Sequence, residues 1–282
     1  MKELAFIEKE IVIPGLQNTY RILHITDSHI VAMDQREEGY IIEGGPHKGK
    51  FLTDFGRVRY EHFTYDGETT AQRFSDLCNA IQNNPGCADA IVFTGDILDF
   101  FTESAFEFMC RNLEKLPIPY MFTLGNHDMI FSKRSDEGIR SVFLKLCGGN
   151  TEVQKHRMNE LALIGIDNTR NYYTEDALDA LDDALRGERH VILFQHVPLS
   201  TQEYHAFSMA AGPKDWSLGN EGICIGDSWK RIFDLIEGPD SPIRALICGD
   251  GHLEHESSIG NITQFVSPLG ADHPPVRFTL HP

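Results

Sequence analysis

Nine residues of this chain are of the kinds that ligate metal ions or carry protons, and all of them stand just beyond the end of an apolar run. They are Asp27 and His29, Asp96 and Asp99, Asn126 and His127, the isolated His196, and Asp250 and His252. A carboxylate can bridge two cations, a neutral imidazole anchors one, and an amide oxygen adds a ligand without adding charge. That mixture suits a site for a pair of divalent ions. Any one of these short motifs is a weak signal alone; the weight comes from five of them in one chain.

Such residues act together only if the fold brings them to one place. The runs that precede them, 21–26, 90–94, 120–124, 190–195 and 244–248, have the length and composition of buried strands. Side chains at strand ends are held tightly by the ladder behind them. Helix signals alternate with these runs, which is the pattern of an α/β fold. Thr69-x-x-Gln72 reads as a capping box before Phe74, Leu77, Cys78 and Ile81, an i, i+3, i+4, i+7 stripe. Ser104-x-x-Glu107 reads the same way before Phe106, Met109, Cys110 and Leu113. A third stripe, Ile139, Val142, Phe143 and Leu146, is closed by Gly148-Gly149. After a strand at 161–166, a helix from Thr174 carries Leu178, Leu181 and Leu185, and another ending near Gly238 turns Ile232, Phe233 and Ile236 inward. Runs 261–266 and 276–280 have no helix between them. The first half therefore reads as successive βαβ units and the tail as an antiparallel finish.

No Pro-, Gly- or Ser-rich linker divides the chain, and the ligand-type residues come from both halves, so 1–282 is read as one domain. Stretches 30–68 and 198–226 read as long irregular loops that leave from the same sheet edge as the site. In the second, Tyr204, Phe207, Met209 and Trp216 suggest an apolar wall over the site or a contact in a homo-oligomer. Asp167 and Asn168 read as a turn, and His24 as packing inside the first strand. His47, His62, His205, His255 and His273 fall in loops with no assigned partner.

A hydrophobic content of 41% supplies a sizeable core, and a net charge of −17 argues against a broad nucleic-acid or anionic-membrane surface. No run approaches the roughly 20 apolar residues of a membrane helix. The first ten residues are charged throughout and lack the apolar stretch of a signal peptide. The six cysteines, Cys78, Cys87, Cys110, Cys147, Cys224 and Cys248, form no CxxC pair and read as small buried groups of a cytoplasmic protein.

Taken in order, Asp27-x-His29, Gly95-Asp96-x-x-Asp99, Gly125-Asn126-His127-Asp128, a lone His196 and Gly249-Asp250-Gly251-His252 resemble the calcineurin-like metallophosphoesterase superfamily. The resemblance implies a four-layer α/β/β/α sandwich of two mixed sheets flanked by helices, with a binuclear centre at the strand ends. Carried over residue by residue, Asp27, His29, Asp96 and His252 hold the first metal. Asp96 bridges to the second, which also takes Asn126 and His196. Two divalent ions, manganese, iron or zinc, about 3.5–4 Å apart would activate a water against phosphorus. His127 would stand beside the leaving oxygen as general acid, with Asp99 orienting it, and Asp128 is either a helper or a loop cap.

This chain departs from the pattern at its last motif, where the family has Gly-His-x-His. Counted from the strand, Asp250 replaces the first histidine and His252 keeps the second; registers through Glu254 or His255 require an insertion. Asp250 would bind the second metal, leave that position weak, or serve only as half of an Asp-Gly turn. Asp99 stands in place of the tyrosine of purple acid phosphatases, and Phe100 in place of the arginine of Ser/Thr protein phosphatases. What remains resembles the bacterial cyclic-nucleotide and glycerophosphodiester branch. The expected function is a metal-dependent phosphohydrolase for a small phosphodiester or phosphomonoester. Its alternatives are a catalytically weak metal-binding or scaffold protein, because of Asp250, and a nuclease, against which the acidity argues.

Overall fold

Strands Ala90–Thr94, Leu161–Ile166 and His190–Gln195 have no exposed residue. Strands covered on both faces belong inside parallel sheets with helices over them. The computed structural model describes residues 4–212, 215–219 and 226–282, and it places these strands in that setting. One sheet runs β1 (Ile7–Val12), β11 (Val276–His281), β2 (Tyr20–Ile25), β3 (Ala90–Thr94) and β4 (Tyr120–Thr123). The other runs β5 (Val153–Met158), β6 (Leu161–Ile166), β7 (His190–Gln195), β8 (Ile243–Cys248), β10 (Ile262–Val266) and β9 (His255–Ile259).

The helices are α1 (Leu52–His62), α2 (Thr70–Asn83), α3 (Glu103–Leu113), α4 (Asp136–Phe143), α5 (Glu175–Leu185), α6 (Gln202–Ala211) and α7 (Ser228–Glu237). Between the sheets, Ile22, Val92 and Met121 pack with Leu163, Ile192, Phe194 and Ile247. On the outer face of the first sheet, Leu23, Phe93 and Phe122 meet Phe74, Met109 and Phe143 of α2, α3 and α4. On the outer face of the second, Ile164 and Leu193 meet Leu178, Leu181 and Ile232 of α5 and α7. The result is helix, sheet, sheet, helix: the α/β architecture of two mixed sheets that the motif order implied.

Helix starts follow their caps. Thr69 accepts from the Gln72 amide and Thr174 from the Ala177 amide. Helix α3 starts two residues earlier than the Ser104 box suggests. Its cap is Thr102, which accepts from the Ala105 amide while its hydroxyl donates to the Ala32 carbonyl.

Three expectations are corrected. Stretch 30–68 is not irregular: it holds two short 3-10 turns and α1, which buries only Leu52, Phe55 and Gly56 and has no side-chain cap. Stretch 198–226 holds α6, which buries only Tyr204. Helices that bury so little carry a weak apolar period, so periodicity passes over them. The tail is not simply antiparallel: β10 pairs parallel with β8 and antiparallel with β9, and β11 crosses to the first sheet, antiparallel to β2 and parallel to β1.

Strands β1, β5 and β9, unread in the sequence, are all sheet edges and alternate charged or polar residues outward. The described cysteines are free; Cys78, Cys87, Cys147 and Cys248 are buried and Cys110 is half-buried. Cys224 lies outside the described residues, as do 1–3 and parts 213–214 and 220–225 of the second long stretch. Among the described residues, no helix is long and apolar enough to cross a membrane.

Candidate metal centre

Strands β2, β3 and β4 run parallel in one sheet, and β7 and β8 run parallel in the other. Their carboxyl ends meet. His196 Nδ1, just past β7, lies 2.7 Å from the Thr94 carbonyl at the end of β3. The Asp250 amide, past β8, donates to Asp27 Oδ2 at 3.1 Å, past β2. Ladder bonds continue beyond the strands, from the Asp27 amide to the Gly95 carbonyl (3.0 Å) and from the His29 amide to the Asp96 carbonyl (2.9 Å).

Among the described residues, five of the nine non-glycine positions with positive φ are Asp27, His29, Asp96, Asp250 and His252. Left-handed backbone costs an L-residue roughly 1–2 kcal/mol, and such strain gathers at functional sites. Here it turns the side chains inward at the point where each strand stops. Two glycines let these turns approach each other. A Cβ on Gly125 would strike Asp96, and one on Gly249 would strike the Thr26 hydroxyl and Asp27 Oδ2.

The side chains form two adjoining groups. In the first, His252 Nε2 lies 3.2 Å from Asp27 Oδ1 and 3.2 Å from His29 Nε2. In the second, His196 Nε2 lies 3.2 Å from Asn126 Oδ1, 3.3 Å from Asp96 Oδ2 and 3.4 Å from Asp250 Oδ1. Asp96 Oδ2 is also 4.0 Å from His29 Nε2, so this one oxygen faces both groups. The fold thus brings together Asp27, His29, Asp96, Asn126, His196, Asp250 and His252, the seven candidates named from the sequence. Of the alternatives beyond His252, His255 stacks on Phe207 at 4.1 Å and Glu254 pairs with Lys9 at 2.5 Å, whereas Asp250 and His252 lie in these groups.

Asp27 and Asp96 each have one oxygen tied and one aimed inward. Asp96 Oδ1 accepts from the His127 amide at 2.7 Å, which leaves Oδ2 facing the rings. Asp27 Oδ2 accepts from the Thr26 hydroxyl at 2.6 Å, whereas Asp27 Oδ1 and Asp250 Oδ2 are buried without a hydrogen bond. Two of the imidazoles are tied as well, His29 Nδ1 by Asp99 Oδ1 and His196 Nδ1 by the Thr94 carbonyl. His196 Nδ1 can only donate to a carbonyl, so in the neutral ring Nε2 carries a lone pair and faces three oxygens. Lone pairs aimed at one another repel, and a divalent cation removes the conflict. The donor set of carboxylate, imidazole and amide oxygen fits such ions at both groups.

Without a cation, protons take that place. Burial disfavours a charged ring at His196, but the Asp96 and Asp250 carboxylates outweigh it and raise the pKa well above the usual imidazole value. Burial likewise opposes charge at His252, where Asp27 raises the pKa. At His127 burial is overcome by Asp96 and Asp99, and the value is pushed up to about 9. Burial would raise Asp27, Asp96 and Asp99, yet their cationic neighbours hold all three below the usual carboxylate range.

Histidines with raised folded values stabilise the metal-free fold fully below the unfolded imidazole value, and that contribution fades as pH rises through the folded values. Metal ligands must be unprotonated. Metal loading at pH 7 is therefore expected to release protons and to tighten as pH rises from there. Calorimetry in buffers of different ionisation heat measures the release; zero release would mean that His196 and His252 are not ligands.

His127 leaves Nε2 open. Its Nδ1 lies 2.8 Å from the Asp99 main-chain carbonyl and 3.4 Å from Asp99 Oδ1, and the side chain is 27% exposed. The sequence reading gave the Asp99 carboxylate to His127 alone. In the structure it also holds His29 Nδ1 at 2.9 Å and receives both arms of Arg59, at 2.6 and 2.7 Å. His29, Asp99 and His127 lie close enough to hold an ion among themselves. The Arg59 guanidinium already offsets the Asp99 charge there.

Arg59 was not foreseen. It lies on α1, in the stretch read as irregular, with its guanidinium over the Phe63 ring at 4.6 Å, and Phe63 stacks on His29 at 4.7 Å. No spacing in the sequence links it to Asp99. Asp128 braces the loops, accepting from the amides of Asp96, Leu98 and Gly125 at 2.8–3.0 Å. Burial and the Asp96 charge push its carboxyl up to about 7. The pair read as a turn is more than that. Asn168 clamps the Val197 backbone beside His196 with bonds of 2.8 and 3.0 Å, and Asp167 pairs with Arg140 at 2.5 Å. His24 is packing, bonded to Ser267 and Thr94, and burial lowers its pKa to about 3.

A cavity of about 530 Å³ borders His127. A larger one of about 1070 Å³, between α2 and Arg277, is lined by none of the nine residues.

The sequence profile of the calcineurin-like phosphoesterases matches residues 20–253. Among solved structures, the chain is similar to a dimetal phosphatase from Danio rerio, with TM-score 0.56 and 13% identity over 90% of this chain and 89% of that one. It is also similar to a purple acid phosphatase from yellow lupin (Lupinus luteus) seeds, with TM-score 0.52 and 11% identity over 92% of this chain and 45% of that one. At these identities the likeness is one of fold. No curated protein matches the sequence.

Proposed function

The chain belongs to the calcineurin-like phosphoesterase family, and from that premise we propose that it is a metal-dependent hydrolase of a small phosphodiester or phosphomonoester. The proposal rests on one feature: His196 Nε2, with its partner nitrogen committed to a carbonyl, faces three oxygens at 3.2–3.4 Å, a donor set in which a divalent cation would take the place of a proton. The family implies divalent ions at a binuclear site, and Asp27, His29, Asp96 and His252 would hold one while Asp96, Asn126, His196 and Asp250 hold the other. When bound, the ions supply positive charge to the phosphoryl oxygens and acidify water.

The rest falls to the chain's own residues. Asp96 orients the His127 backbone through Oδ1, and His127 Nε2 carries the proton for the leaving oxygen. Asp99 and Arg59 hold His29 and His127 in register. The second group offers three oxygens and one nitrogen, which favours an oxygen-loving ion such as manganese there, with iron or zinc as further occupants. A net charge of −17 speaks for a small substrate over a nucleic acid. The buried free thiols suit a cytoplasmic location.

The test is to strip the protein with chelator, reload it with manganese, iron, zinc or cobalt, and assay aryl phosphodiesters and monoesters. Two ions per chain and turnover dependent on them are expected. One ion or none, with no hydrolysis of any ester, would leave a metal-binding scaffold instead.

A further inference from the structure

We propose that the cavity beside His127 is the leaving-group pocket, and that the phosphoester cleaved here carries a flat aromatic ring on its departing alcohol. The inference rests on the hydrolase reading, in which His127 protonates the leaving oxygen. A proton donor must touch the oxygen that departs, so whatever that oxygen carries has to continue into the space that His127 borders. That space is the cavity of about 530 Å³, within the range of small-molecule pockets. Arg59 also lines it, and Arg59 is bonded to Asp99, which marks its metal-facing end.

The rest of the wall is rich in rings. Phe55 and Phe131 meet edge to face at 5.0 Å, His47 lies 4.6 Å from Phe55 and 5.7 Å from Phe131, and Tyr40 lines the cavity as well. A flat ring can join such a cluster in the offset and edge-to-face geometries that rings prefer. Glu43 and Asp136 also line the cavity, and its two arginines, Arg59 and Arg134, are already paired with Asp99 and Glu103, which favours a neutral group over a second phosphate. The pocket is held open by ties between its two sides. The Tyr40 hydroxyl donates to the Ser132 carbonyl at 2.7 Å, and Lys133 donates to the Arg36 carbonyl. None of this depends on the metal ligands.

The probes are methyl, benzyl and naphthylmethyl phosphate esters, whose alcohols are of similar acidity, together with methyl- and benzylphosphonate as non-hydrolysable ligands of the metal-loaded protein. Benzyl over methyl is expected to gain about tenfold in kcat/KM and in phosphonate affinity. Phe131→Ala and His47→Ala are each expected to remove most of that gain while leaving turnover of the methyl ester unchanged. Equal treatment of methyl and benzyl compounds by the unaltered protein, or a benzyl preference that survives both substitutions, overturns the proposal and leaves the hydrolase reading standing. Preferential benzylphosphonate binding that both substitutions abolish, with no ester hydrolysed, keeps the pocket and overturns the hydrolase reading.

Discussion

Replacing Asp96 with asparagine is expected to strip metal from both positions and to lower turnover about a thousandfold, while the fold survives. Asp96 Oδ2 is the oxygen that faces both His196, at 3.3 Å, and His29, at 4.0 Å, so Asp96 is the residue that would be shared by two ions. Asparagine keeps the shape and an oxygen for the His127 amide but gives up the charge. It also turns an N–H₂ toward the two imidazole nitrogens, which satisfies their lone pairs without any ion. Charge stabilisation by the metals is worth several kcal/mol, or roughly three factors of ten in rate. Elemental analysis of Asp96→Asn, beside its thermal melt with and without manganese, provides the check. Expected are less than one ion per chain and a melting temperature that manganese no longer raises. A variant that kept both ions would remove Asp96 from the bridging position.

The parts of this site that were legible in the sequence are those attached to strands buried over most of their length. A strand such as Ala90–Thr94, apolar up to its last residue, shows plainly where it ends, and the polar residues that follow must lie at the sheet edge. Asp96, Asn126, His196 and Asp250 could be placed for that reason. Arg59 could not, because α1 buries one narrow strip, and its one functional contact joins residues forty positions apart. The edge strands escaped for the converse reason. In β5, Gln154, Lys155, His156 and Arg157 do not look like sheet, since an edge is kept soluble by its charges. Asn168 shows a third limit. A buried amide that clamps the Val197 backbone and a turn-forming asparagine carry the same letter, and only the surroundings tell them apart.

His127→Ala is expected to lower kcat by about 10² to 10⁴ for esters of alkyl alcohols while the metal content holds. His127 Nδ1 is tied to the Asp99 carbonyl at 2.8 Å, so a proton on Nε2 is presented outward to the cavity. An alkoxide leaves poorly without that proton, whereas a nitrophenolate leaves without help. The loss should therefore shrink to a small factor for a p-nitrophenyl ester, a split that a general collapse of the site would not produce. The pH profile gives an independent reading. Against the burial that opposes it, Asp96 and Asp99 hold the protonated ring up to about 9 in the metal-free protein, and bound cations that offset Asp96 must bring this value down. Activity that needs the protonated ring then falls as pH rises through the metal-loaded value, and this alkaline limb should be missing from His127→Ala. If His29, Asp99 and His127 instead held an ion among themselves, the same substitution would lower metal content and cut turnover of alkyl and nitrophenyl esters alike.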